Sequence, residues 1–385
     1  MRIFLSCLQS PYKHPVPAYQ FWETYFKKGI EEAGYEWLES PNVDWAEGLV
    51  YFNEEDLKKW RDRTWNNTLD FIKRQHQIKP IDLFLSYLFP KQVDSNAIQD
   101  IQSLGIPCVN FFCDNVREFR RIPKSFYCFD LHWVPEFKAL KMYQQAKLKY
   151  VYAPMPVWIS PEQRHCDHLE KYGVSFIGSR DIQREALLAQ AVKSHIPVEI
   201  RGAGWMGNSS KSLINISKSR GFRQTSINQW NFINSQGISA WLRKIQSKSS
   251  PRIDDDIFAS CVKPQPSQQE YNAIIQQSTI TLGISRYPSY RYPFTQPNTY
   301  SRMRDIEAPM MGACYLTEWT EGLDDLYELG EEIETYRTSE ELVEKIQYLT
   351  NSSALRNSLR LKGQKRALSE HNIARSINKI WQAIN

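Results

Sequence analysis

The sequence predicts an α/β protein built from two doubly wound domains in tandem. Short apolar strands alternate with helices at the spacing of a parallel sheet, and this alternation restarts abruptly near residue 174. A chain of 385 residues is also longer than one ordinary core accommodates.

The first domain is expected over 1–157. Residues 2–8 form a buried apolar run, followed by a loop with Pro11, His14, Pro15 and Pro17 and an aromatic-rich helix over 18–33 that stops at Gly34. A short strand at 35–38 and a polar helix at 54–77 come next. A strand at 81–88, a helix at 94–104 ended by Gly105, and a strand at 108–113 continue the alternation. The strand 131–134, the helix 138–147 and the strand 150–152 complete the domain. Residues 158–171, with Pro161 and mixed charges, have the composition of a linker.

The second domain, 172–370, repeats the pattern with strands at 174–178 and 197–201 around a helix at 184–195. After an insertion at about 206–253 come a helix at 268–277, a strand at 279–282, a helix opening near Ser301, a strand at 314–316 and helices at 340–349 and 354–370. A last helix, 373–384, in the terminal segment 371–385, is expected to cross back to the first domain. Two such sheets are expected to face a central cleft, and open α/β sheets bind ligands at the carboxyl ends of their strands.

A net charge of +5 is mild for this length; it disfavours a dedicated nucleic-acid binder and leaves room for an anionic small ligand. The seven cysteines form no CxxC pair and mostly sit in apolar runs, which suits buried thiols in the cytoplasm. The N-terminal apolar run is too short for a signal peptide, and no stretch reaches the roughly 18 apolar residues of a membrane span. The insertion is the compositional exception. It carries Lys211, Lys218, Arg220, Arg223, Arg243, Lys244, Lys248 and Arg252 and no acidic residue. Either it is a solvated excursion, or it meets an anionic acceptor, partner or lipid headgroup.

The stretch from Thr299 and Tyr300 to Glu318 organises the second domain. Ser301 is placed to cap a helix whose first turn holds Arg302 and Arg304, an arrangement that opposes the helix dipole unless an anion lies between them. Glu307, one turn beyond Arg304, has the acceptor geometry for two hydroxyls of a ribose. The alternative is a surface helix with an Arg–Glu pair.

Several segments together resemble a known family. They are Val174-Ser-Phe-Ile-Gly-Ser-Arg180 with Arg184, Arg201-Gly-Ala-Gly-Trp205, the helix around Tyr271, Arg304-Asp-Ile-Glu-Ala-Pro-Met-Met-Gly-Ala-Cys-Tyr-Leu-Thr317, Leu329-Gly-Glu-Glu-Ile333 and Glu340-Glu-Leu342. In order and spacing they resemble the glycosyltransferase-like proteins named after the spore maturation protein CgeB, over nearly all of 174–380. Ile106-Pro-Cys-Val-Asn-Phe-Phe-Cys-Asp114 and Pro154-Met-Pro156 resemble the same proteins more loosely. The resemblance implies a GT-B glycosyltransferase of two Rossmann-like domains, related to the retaining family-1-type enzymes. The second domain would hold a nucleotide-diphosphate sugar and the first an acceptor, whether saccharide, peptide or small molecule. Glu307 matches the second of two glutamates eight residues apart in the wider retaining families; Thr299 stands where the first would be.

Transfer from such a donor needs the leaving diphosphate stabilised by a metal or by arginines and helix amides. Arg180 and Arg184, after the strand end at Gly178 and Ser179, are candidates for the second route, as are Arg286 and Arg291 in the Tyr/Pro loop. Gly202 and Gly204 would let the backbone approach the nucleotide beside Trp205, or simply make a tight turn, and residues 261–266, with Val262, would line the base. Asp254-Asp-Asp256 is the one metal candidate and fits a turn or cap better, so no metal site and no cofactor is expected. Asp114 and His14 are the catalytic candidates of the first domain, one contacting acceptor or donor sugar and the other a base if configuration inverts. A non-catalytic binding or coat-associated descendant is the competing reading. A dinucleotide-dependent oxidoreductase is disfavoured, because 6–17 contains no glycine.

Overall fold

The computed structural model describes residues 1–12, 18–50, 53–166, 169–205, 237–249, 253–287, 290 and 297–385. The chain forms two compact units, one of Met1–Trp158 with Ser369–Asn385 and the other of Ile159–Leu368.

The first unit holds a parallel sheet of β1 (Arg2–Ser6), β2 (Glu36–Leu38), β3 (Leu83–Ser86), β4 (Cys108–Phe111), β5 (Leu131–Val134) and β6 (Tyr150–Tyr152), in the order β2-β1-β3-β4-β5-β6. Helices α1 (Ala18–Glu32), α2 (Glu54–Ile78), α3 (Ser95–Ser103), α4 (Asn115–Glu118) and α5 (Phe137–Ala146) connect the strands. A sheet covered on both faces has no polar side, so β1, β3 and β4 are buried at every residue. Phe4 and Phe84 are paired in register and their rings stack at 5.8 Å. The strands stop earlier than the apolar runs suggest. Cys7 and Leu8 are buried, yet Leu8 turns to φ 62° and the Cys7 amide donates to the Gln9 side chain at 2.6 Å instead of to a neighbouring strand. Burial outlasts pairing there.

The last helix, α12 (Ile373–Ile384), buries Ile373, Ile377 and Ile380 in the first unit. Gly29 on α1 is what allows the approach, since a Cβ there would lie 2.2 Å from Ile373 Cδ1. Tyr35 Oη donates to Asn378 Oδ1 at 2.8 Å.

The second unit holds β7 (Tyr172–Ile177), β8 (Val198–Arg201), β9 (Ser278–Gly283), β12 (Tyr315–Glu318) and β13 (Glu334–Tyr336), parallel in the order β13-β12-β9-β7-β8. Its helices are α6 (Ile182–Lys193), α7 (Ile238–Ser249), α8 (Gln268–Gln277), α9 (Arg304–Met310), α10 (Ser339–Thr350) and α11 (Ser353–Glu370). A two-stranded antiparallel ribbon of β10 (Arg286–Tyr287) and β11 (Asn298–Thr299) precedes α9. Strand order reverses between β7 and β9, so their carboxyl ends mark the topological switch point.

The end of the segment expected to be a linker is tied to the second unit. Glu170 accepts from Arg356 Nε and Nη2 at 2.8 Å each and from Arg360 Nη2 at 3.2 Å. Helix α9 starts two residues later than a Ser301 cap would place it. Met303 is its N-cap without a side-chain bond, so Ser301 does not cap it; the Arg302 amide instead donates to Asp305 Oδ2 at 2.8 Å. Pro309 has no N–H to give the Asp305 carbonyl, and Tyr327 Oη donates to that carbonyl at 2.7 Å in its place.

Candidate functional site

At the carboxyl end of β7 three arginines converge. Arg184 comes from the first turn of α6, where Asp181 caps the helix by accepting from the Gln183 and Arg184 amides. Its Nη1 donates to the Ser179 carbonyl at 2.9 Å and hydroxyl at 3.1 Å, while its Nε lies 3.2 Å from Asp181 Oδ2. Arg304, opening α9, donates through Nη1 to the carbonyl of Ile177, the last residue of β7, and through Nη2 to Tyr271 Oη at 3.1 Å. Arg302 lies over the Tyr300 ring at 5.1 Å and donates to its hydroxyl at 2.9 Å.

The charges are poorly balanced. Among the described residues only Arg184, of the three, has a carboxylate within 4 Å of its guanidinium. Burial lowers the pKa of Arg184; Asp181 opposes this, and the charges of Arg302 and Arg304 push it down again, leaving it below the ordinary arginine value. Burial also opposes the charge on Arg304, but Tyr271 and Glu307 outweigh it and raise its pKa. The Nε atom of Arg304 is buried without a hydrogen-bond partner, as is the whole side-chain amide of Gln183, and that of Arg184 has only its ion-pair contact with Asp181. Orphaned donors around excess positive charge suit an anion.

Glu307 is buried at 4% exposure and accepts from Tyr271 Oη at 2.6 Å. Tyr271 thus joins Arg304 to Glu307, and its ring lies 5.5 Å under the Arg304 guanidinium. It stands on α8, whose start is fixed by the Ser267–Glu270 capping box. Asp305 faces the other way, accepting from Tyr315 Oη at 2.7 Å and Thr317 Oγ1 at 3.2 Å, and locks α9 to β12.

The other expected contact residues are held by partners within the chain. Arg180 donates to Glu185 Oε2 at 2.7 Å, to Asp255 Oδ1 and to the Ile253 carbonyl at 2.9 Å, and its guanidinium lies 5.5 Å from the Trp205 ring and 5.7 Å from the Phe258 ring. It is thus neutralised on two sides and braces β7's end against residues 253–255. Gly202, at φ 136°, has no room for a Cβ, which would lie 2.3 Å from the Gly178 carbonyl oxygen; Gly204, at φ 86°, packs against Arg180. The two glycines bring β8's end against β7's end, and Trp205, which donates to the Gly178 carbonyl at 2.8 Å, belongs to the core. Val262 bridges to Ile200 and extends the sheet beyond β8.

Arg286 pairs with buried Glu318 at 2.8 Å, so its charge is answered inside the protein; Thr299 is its partner in the ribbon. Asp254 accepts from the Asp256 amide and Asp255 holds Arg180, which commits two residues of the candidate metal cluster to local structure. No group of three ligating side chains is found among the described residues.

In the first unit, Asp114 is the N-cap residue of α4 without a side-chain cap bond and lies 3.9 Å from Arg117. Its neighbour Glu136 carries no local sequence signal. Glu136 is fully buried and accepts from the amides of Asn115 at 2.6 Å and Val116 at 3.4 Å, and burial, followed by the Asp114 charge, pushes its pKa up to about 8. His14, Arg291 and the basic residues of 206–236 and 250–252 lie outside the described residues.

Residues 183–382, over half of the chain, match the glycosyl transferase-like family, and the chain belongs to that family. The fold is GT-B. Among solved structures, sucrose-phosphate synthase from Thermosynechococcus elongatus is similar at 12% identity and TM-score 0.54, covering 99% of this chain and 98% of that one. A glycosyltransferase from Rickettsia africae gives 11% and 0.55, covering 100% of this chain and 97% of that one. HepE from Anabaena, solved in complex with UDP, gives 11% and 0.52, covering 100% and 99%. No curated protein sequence matches the chain.

Proposed function

We propose that this protein is a glycosyltransferase of the CgeB-like kind, moving a sugar from a uridine- or guanosine-diphosphate donor to a saccharide, peptide or small-molecule acceptor. The observation that carries the reading is the arginine cluster: Arg184, Arg302 and Arg304 with one carboxylate partner among them at the switch point of the second sheet. A diphosphate supplies the missing negative charge. As the bond from the anomeric carbon to the phosphate oxygen breaks, the charge growing on that oxygen meets guanidiniums already in place. The arginines supply what a metal would otherwise supply, hence metal-independent transfer.

Glu307 takes the ribose hydroxyls, held by Tyr271. HepE, with the same fold, was solved with UDP. Retention of configuration follows from the match of Glu307 to the retaining pattern, with a donor phosphate oxygen taking the acceptor proton. Acceptor recognition is assigned to the first unit, with Asp114 contacting the sugar or acceptor. Seven cysteines outside any disulfide, most of them buried, suit the reducing cytoplasm.

Thermal unfolding with UDP and GDP in the presence of a chelator tests the donor site. Ligand at about a hundred times its dissociation constant adds about 2.7 kcal/mol, a rise of roughly 5–10 °C for a unit of this size. Arg302→Ala and Glu307→Ala should each abolish most of the rise. No shift with either nucleotide, a shift that appears only with added metal, or a full shift in Glu307→Ala defeats the assignment. Thr299 in the place of a glutamate favours a second reading, a binding protein that retains the nucleotide site without turnover. It predicts the shift but no nucleotide release from any sugar nucleotide.

A further inference from the structure

Helix α7 lies within the basic insertion, and its side chains divide sharply. Ala240 is fully buried, whereas Ile238 is 65%, Leu242 55% and Ile245 46% exposed. Spacings of four and three put these three branched apolar side chains on one stripe of the helix, opposite Ala240. Among the described residues no other element exposes more than one large apolar side chain. A single exposed leucine is ordinary; three on one short helix are not.

Charge identifies what covers the stripe. The 48-residue segment 206–253 carries eight lysines and arginines and no acid, a local +8 against +5 for the whole chain, so the remainder is net −3. The positive excess is concentrated in the part of the sequence that supplies the apolar stripe. Arg243 and Lys244 stand on the helix beside it, part-buried, with Arg243 Nη1 donating to the Tyr290 carbonyl at 3.1 Å. A second copy of this chain would bring the same +8 against itself. An apolar protein partner would explain the stripe but not the absence of acids. An anionic lipid surface accounts for both, because its interface takes branched apolar side chains while its headgroups take lysine and arginine.

We propose that α7 is an interfacial helix that docks the protein on anionic membranes, lying in the headgroup plane without crossing the bilayer. Among the described residues no helix is long and apolar enough to cross a membrane, so attachment is peripheral. Docking is independent of the nucleotide site and holds whether or not the chain transfers sugar.

Co-sedimentation of the full chain with vesicles decides it. Phosphatidylcholine vesicles with about a third phosphatidylglycerol should bind the protein at low salt, pure phosphatidylcholine should bind it far less, and high salt should release it. Leu242→Ser with Ile238→Ser should weaken partitioning by at least about tenfold. Lys244→Gln with Lys248→Gln should weaken it by roughly twenty-five-fold, about fivefold per charge. The serine changes are at exposed positions, and unchanged melting temperatures would show that the fold is intact. Equal binding to neutral vesicles, binding unaffected by either pair, no binding at all, or a dimer that Leu242→Ser dissociates would each overturn the proposal.

Discussion

Replacing Tyr271 by phenylalanine removes one oxygen and keeps the ring under Arg304. That oxygen donates to Glu307 Oε2 at 2.6 Å and accepts from Arg304 Nη2 at 3.1 Å, so the change strips a buried carboxylate and a guanidinium of a shared partner at once. Hydrogen bonds to charged groups contribute about 1.5–3 kcal/mol each, but the two are coupled through one atom and do not add. Loss of about 2–3 kcal/mol is expected. For the second unit that is roughly 4–12 °C in melting temperature, read by calorimetry as a drop in one transition while that of the first unit stays put. The same variant should weaken UDP binding by about tenfold or more, because Glu307 is no longer held. A Tyr271→Phe protein that melts within about a degree of wild type and binds UDP equally well would show that the phenol is incidental. It would also remove the reason for treating Arg304 and Glu307 as one site.

The first unit should respond to pH from both sides. Glu136 has a folded pKa of about 8 against the ordinary carboxylate 4.5, so its stabilisation is complete below 4.5 and is lost as pH rises through 8; Glu136→Gln should flatten a slope of about 1.4 kcal/mol per pH unit over that window. His132, fully buried among Phe126, Phe129 and Tyr143, is lowered by burial to about 4 from 6.5. Its stabilisation is present above 6.5 and lost as pH falls through 4, and His132→Phe should remove that acid-side loss; denaturant melts across pH that do not differ from wild type would contradict either assignment. Gly29→Ala forces a methyl into Ile373 and should cost about 1–3 kcal/mol, less any gain in helix propensity. A rise in melting temperature would mean that α12 is not packed on Gly29.

The sequence alone determined the alternation of strands and helices, the second start near 174 and the position of most elements. Periodicity and terminators such as Gly34, Gly105 and Gly312 are local properties of the chain, and all three do take positive φ. Local signal fails where pairing is short or distant. β13 has three residues, the ribbon of β10 and β11 two per strand, and α7 sits in a basic insertion whose composition announced no helix.

For the site, the sequence drew attention to Arg184, Arg304 and Glu307 because they fall at a strand end and in the first turns of helices. It had no means of sorting one arginine from another. Arg180, four residues from Arg184, is consumed by Glu185 and Asp255, the latter 75 residues away, and Arg286 by Glu318. Whether a guanidinium faces a carboxylate or stands without one depends on side chains brought together from separate strands. Only the tertiary structure decided that, and it also set Tyr271 between Arg304 and Glu307 from a helix 33 residues upstream of Arg304.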